Sequence, residues 1–169
     1  MPETDSLLDP RFTLIAWNPA SSKWQDGPSN DVWCSDRLGN GWRMTARRGF
    51  EDGRGEIAFG GKYEALQFYV NYLFGRRVAQ TTGEPNPGTG LIDRRYEVLS
   101  WDAAQSKWND MSGNLFMRDM GGYWRVGGRH GFEDGRSVLD FDDEIEAFEF
   151  LVNHLYGRMM NHLENPLAA

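Results

Sequence analysis

Gly49-Phe50-Glu51-Asp52-Gly53-Arg54 and Gly131-Phe132-Glu133-Asp134-Gly135-Arg136 are the same six residues written twice in one chain. Working outward, Trp42-Arg43 matches Trp124-Arg125, and Leu73-Phe74-Gly75-Arg76 matches Leu155-Tyr156-Gly157-Arg158. Further upstream, Arg11 to Trp17 lies against Arg95 to Trp101, and Ser22-Lys23-Trp24 against Ser106-Lys107-Trp108. Roughly half of the aligned positions around the hexapeptide are identical, which identifies a tandem duplication. The repeats cover residues 11–78 and 95–160, with a linker over 79–94.

Each copy opens on an apolar β-type run, Phe12 to Trp17 in the first, followed by a short polar link and Lys23-Trp24, the pattern of a hairpin. A second strand pair is predicted around Asp31 to Ser35 and Gly41 to Arg48, matched by Leu115 to Arg118 and Tyr123 to Arg129. Asp52-Gly53 and Asp134-Gly135 then sit between strand-like runs, where glycine accepts the positive φ of a tight turn. The last element is an amphipathic helix, with Ile145, Phe148, Leu151, Val152, Leu155 and Tyr156 on one face of copy two and Tyr63, Leu66, Val70 and Leu73 on that of copy one. Asp143 and Glu146 have the spacing of a capping box, Gly61 and Glu64 stand in the same places, and Gly75 and Gly157 read as helix stops. The expected fold is α+β: a tandem duplication of an antiparallel-strand unit closed by one amphipathic helix, with pseudo-two-fold symmetry. At 169 residues each half is close to the size at which a core becomes marginal, so the halves are expected to share one compact domain.

A net charge of -7 works against nucleic acid or an anionic membrane surface as partner, both of which need clustered Lys and Arg, and suits a basic protein. No run approaches the roughly 18 apolar residues of a membrane span. The single cysteine, Cys34, forbids an internal disulfide, and the first ten residues lack the basic-then-apolar order of a secretory signal, so the cytoplasm is the expected location.

No catalytic constellation, cofactor motif or metal-ligand spacing emerges. Glu51-Asp52 and Glu133-Asp134 are adjacent on a turn and point apart; His130 and His154 replace Arg48 and Tyr72 of copy one, so neither histidine recurs; and Cys34 reads as a small buried residue. The candidate contact surfaces are two. Gly39, Asn40 and Gly41 recur as Gly121, Gly122 and Tyr123 just before the Trp-Arg strand, where a loop without side chains flanked by aromatics can enter a partner's cleft; Arg129 and His130 follow that strand. Asp140, Asp142 and Asp143 form an acidic run that copy one replaces with the nearly neutral Ala58 to Glu64, more charge than the helix dipole alone explains.

With Gly41-Trp42-Arg43 and Tyr123-Trp124-Arg125 each leading into a glycine-bearing strand, and with helices closing on Gly75-Arg76 and Gly157-Arg158, the chain resembles bacterial polymorphic-toxin immunity proteins. The similarity is greatest to the family that includes the immunity factor of the tuberculosis necrotizing toxin, a secreted NAD glycohydrolase. The resemblance implies a non-enzymatic protein that binds a cognate toxin in the producing cell's cytoplasm and blocks NAD from its cleft. The rival expectation is a small-ligand-binding module or enzyme with an aromatic pocket between the repeats.

Overall fold

The computed structural model describes residues 2–27, 30–36, 41–88 and 90–164. The chain divides into two compact units, one of Leu14–Glu97 and a second of Met1–Thr13 together with Val98–Ala169. Each repeat therefore folds as its own unit from its first strand onward, while the residues that precede that strand belong to the unit of the other repeat.

The first unit is an antiparallel meander in chain order, β1 (Ile15–Asn18), β2 (Lys23–Asp26), β3 (Val32–Asp36), β4 (Trp42–Ala46) and β5 (Glu56–Phe59), followed by α1 (Lys62–Thr82). The second repeats it with β6 (Leu99–Asp102), β7 (Lys107–Asp110), β8 (Leu115–Asp119), β9 (Trp124–Gly128), β10 (Val138–Phe141) and α2 (Glu144–Glu164). The duplicated α+β unit expected from the sequence is thus present, as two separate five-stranded sheets.

Strand register explains which residues form each core. Trp24, Cys34, Met44 and Ile57 lie in one row across the first sheet, and Trp108, Met117, Val126 and Leu139 in the corresponding row of the second. Both rows are buried, and α1 packs against β3, β4 and β5 as α2 packs against β8, β9 and β10. Side chains alternate across a strand, so the neighbouring rows face the other way. There Lys23 and Lys107 begin rows that continue through Ser35, Arg43 and Ala58 or through Arg118, Arg125 and Asp140. Cys34 is fully buried in the inner row, where loss of solvation raises its thiol pKa and keeps it unreactive. On the outer face, Gly127 leaves room for the Phe116 ring, 2.5 Å from where a Cβ would stand.

Both helices pass through the glycines that read as stops. Gly75 and Gly157 are buried mid-helix, and α1 ends instead at Gly83, whose φ of +76° and N–H to the Ala79 carbonyl (2.9 Å) make the terminating turn. The apolar stripe carries on beyond the expected end, with Val78 and Met160 buried. Asp93 approaches α1 at Gly75, and Asp9 approaches α2 at Gly157. The added Cβ would meet Asp93 at 3.1 Å but Asp9 at 3.7 Å, an ordinary contact. Because Ala is better than Gly inside a helix by about 0.8–1 kcal/mol, Gly157→Ala is expected to raise stability by about 0.5–1 kcal/mol, and Gly75→Ala to gain less or to destabilise. Equal gains in urea unfolding would contradict the close approach at Gly75. At the start of α2, Asp143 Oδ1 accepts the Glu146 N–H at 2.7 Å, the expected cap; Gly61 begins α1 without a side-chain cap bond.

Candidate functional site

A three-residue Asp-x-Arg element occurs four times, at Asp9–Arg11, Asp52–Arg54, Asp93–Arg95 and Asp134–Arg136. In each, one carboxylate oxygen accepts the arginine's backbone N–H (3.0, 3.0, 3.1 and 3.0 Å) while the guanidinium pairs with the other at 2.8, 2.6, 2.8 and 2.6 Å. Two copies form the hexapeptide turns, in which Gly53 and Gly135 have φ of +91° and +93°. The other two lie in the segments that pack on the helix glycines. Each arginine holds its aspartate below the usual carboxylate range, Asp9 at about 2. A folded-state pKa below the unfolded value of about 3.9 contributes stability above that value, which is lost as pH falls toward the folded one. The melting temperature is therefore expected to decline between about pH 4 and pH 2, and Asp→Asn at all four positions to flatten that decline. An undiminished slope in the fourfold variant would exclude these pairs as its source.

The glutamate of each hexapeptide faces the helix of its own unit. In the first unit, the Tyr72 hydroxyl donates to Glu51 Oε1 at 2.6 Å and Oε2 at 2.8 Å. The Tyr72 ring lies against Phe50 and stacks on Phe68, with the Arg76 guanidinium 6.0 Å from its centre. Burial, with help from the Glu51 carboxylate, raises the Tyr72 phenol pKa and keeps it a donor. In the second unit, His154 takes the tyrosine's place between Phe132 (5.5 Å, edge-on) and Phe150 (5.4 Å, stacked). Its Nδ1 lies 2.8 Å from the Leu7 carbonyl oxygen, and its Nε2 lies 3.7 Å from Glu133 Oε2. Arg158 Nε is 3.5 Å from Glu133 Oε1. Burial is the main influence on the histidine and lowers its pKa, favouring the neutral ring.

A cavity of about 820 Å³ opens beside this cluster, lined by Leu7, Leu8, Pro10, Glu133, His154 and Arg158 among others. A cavity of about 670 Å³ occupies the equivalent place in the first unit, beside Glu51, Tyr72, Gly75 and Arg76. Sequence reading assigned Glu51 and Glu133 to solvated turns and gave His154 no recurring partner. The visible signal was the repeat itself: the same Phe-Glu precedes, by the same interval, a helical Tyr in one copy and a His in the other.

The expected contact residues of the second unit fall into two groups. Gly121, Gly122 and Tyr123 form the β8–β9 tip, and register places them at the same end of the sheet as the β10–α2 junction, since Trp124 pairs with both Asp119 and Phe141. That junction carries Asp140, Asp142 and Asp143. Arg129 and His130 are exposed at the opposite end of β9, about 16 Å away at 3.3 Å per residue. Gly41 precedes β4 with φ of +110°; Gly39 and Asn40 lie outside the described residues.

The acidic run is partly committed to the fold. Arg125 donates two bonds to Asp140 (2.8 and 3.1 Å), which lowers that carboxyl's pKa, and Asp143 caps α2. Asp142 is exposed, and no hydrogen bond or ion pair to it occurs among the described residues. No family model, curated protein or solved structure matches the chain. Among the described residues, no group of three His, Cys, Asp or Glu is placed to hold a metal ion, and no helix is long and apolar enough to cross a membrane.

Proposed function

We propose that this chain is an immunity protein that binds a cognate toxin and blocks its active-site cleft, using the β8–β9 end of the second unit. The observation that carries the reading is the tip itself. Gly121 and Gly122 are exposed at its apex behind Met120, a large apolar side chain 39% exposed. Tyr123 is braced from below by Arg125, 5.6 Å from its ring centre, and Arg125 is in turn fixed by Asp140. The tip is closed by the Met120 N–H to the Tyr123 carbonyl (2.8 Å) and by Asp119, which accepts the Gly121 N–H (2.9 Å). A pre-ordered narrow loop with an apolar flank loses little entropy on entering a concave site.

The resemblance supplies the partner class, a secreted toxin of the NAD glycohydrolase type, and the acidic charge of the chain suits a basic cleft rim. Co-expression with a candidate toxin encoded next to this gene tests the proposal. Host survival together with a stoichiometric complex is the expected result. Death of the host and no complex, with an active toxin, would exclude it.

A further inference from the structure

His154 and Glu133 face one another across a gap that the first unit fills with a hydroxyl. There Tyr72 donates its own O–H to Glu51, so the glutamate is satisfied from within. In the second unit position 154 carries no hydroxyl, and Arg158 Nε meets only the other oxygen of Glu133, at 3.5 Å. The Leu7 carbonyl oxygen can only accept, so His154 Nδ1 must carry the proton, and the neutral ring presents a lone pair at Nε2. The residue is 1% exposed, and Nε2 has no hydrogen-bond partner among the described residues. Two acceptors, Nε2 and Glu133 Oε2, therefore stand 3.7 Å apart where the other unit has a donor and an acceptor.

We propose that the second unit holds a binding site for a primary organic ammonium, which donates one N–H to His154 Nε2 and another to Glu133. A separation of 3.7 Å is too long for a direct hydrogen bond, yet it lets a single nitrogen sit about 2.9 Å from both atoms. A neutral alcohol has one proton and can satisfy only one of the acceptors, whereas an ammonium satisfies both and matches the carboxylate charge. Phe132 and Phe150 hold the imidazole in place, and Arg158 at 3.5 Å steadies the other oxygen of Glu133. Glu133 is 54% exposed and is the movable wall through which a ligand enters; the adjoining cavity offers Leu7, Leu8 and Pro10 to an organic tail. The site lies toward the hexapeptide turn, at the end of the unit away from the β8–β9 tip, so it stands or falls independently of the toxin-binding surface.

The test is titration of the full chain with n-butylammonium at neutral pH, read by the ¹⁵N resonances of the His154 imidazole. A saturable shift at Nε2 is expected, with Nδ1 little changed, and n-butanol at the same concentrations is expected to have no effect. Calorimetric titration compares affinities across variants: His154→Tyr rebuilds the Tyr72–Glu51 arrangement and should weaken butylammonium binding at least tenfold relative to the unaltered chain, and Glu133→Gln should weaken it as well. An Nε2 resonance unmoved by the amine, or moved equally by butanol, would overturn the proposal. So would undiminished binding in the folded His154→Tyr protein or, should that variant not fold, in Glu133→Gln.

Discussion

Trp108→Ala is expected to cost about 3–5 kcal/mol, the range for truncating a fully buried tryptophan, and so to remove a large part of the roughly 5–15 kcal/mol by which a domain is stable. The indole has no exposed surface. It sits in the inner row of the second sheet beside Met117, 5.1 Å from the Phe148 ring of α2 and 5.3 Å from Trp101. Removing it leaves a hole between Met117 of the sheet, Phe148 of the helix and Trp101 of the first hairpin. Urea unfolding should show a fall in midpoint with little change in slope. Trp101, half-buried on its edge strand, should cost distinctly less when truncated. A loss below about 1 kcal/mol at Trp108 would contradict the assigned core.

Gly122→Gln is expected to leave stability unchanged and to weaken toxin binding by at least about 30-fold, the roughly 2 kcal/mol that marks a central contact. Nothing lies within 4 Å of a Cβ built at Gly122, and its backbone is not in the left-handed region, so the folded chain accepts a side chain there. A narrow cleft does not. The neighbouring Gly121, with φ of +94°, is a poorer test because a side chain there strains the tip itself. Asp142→Lys should slow association at low salt more than it speeds dissociation. It is a cleaner probe than changing Asp143, whose carboxylate caps α2. Full toxin affinity in a folded Gly122→Gln protein would remove the tip from the interface.

The first hairpin of each copy was legible because it carries its own marks: Trp17 and Trp24 pair directly, as do Trp101 and Trp108. Helix length was misread at Gly75 and Gly157 because local propensity cannot register a neighbour: both glycines lie inside their helices, and Gly75 makes space for Asp93, which is near only in the folded chain. The same limit hid the role of residues 1–13, whose Leu7 carbonyl meets His154, 147 positions away. Charge was likewise overcounted at 140–143, since a count cannot tell that Arg125 lies across from Asp140 in register. The Asp-x-Arg pairs were visible in principle. Asp9-Pro10-Arg11-Phe12 and Asp93-Arg94-Arg95-Tyr96 stand at matching places ahead of the two first strands, and both echo the hexapeptide's Asp-Gly-Arg.

The most direct measurement of the central claim is amide hydrogen exchange of the chain alone and in complex with its toxin. The account predicts new protection at Met120–Tyr123 and across Asp140–Asp143, with Arg129 and His130 unchanged. Protection confined to the opposite end of the second unit, or to the first unit alone, would contradict it.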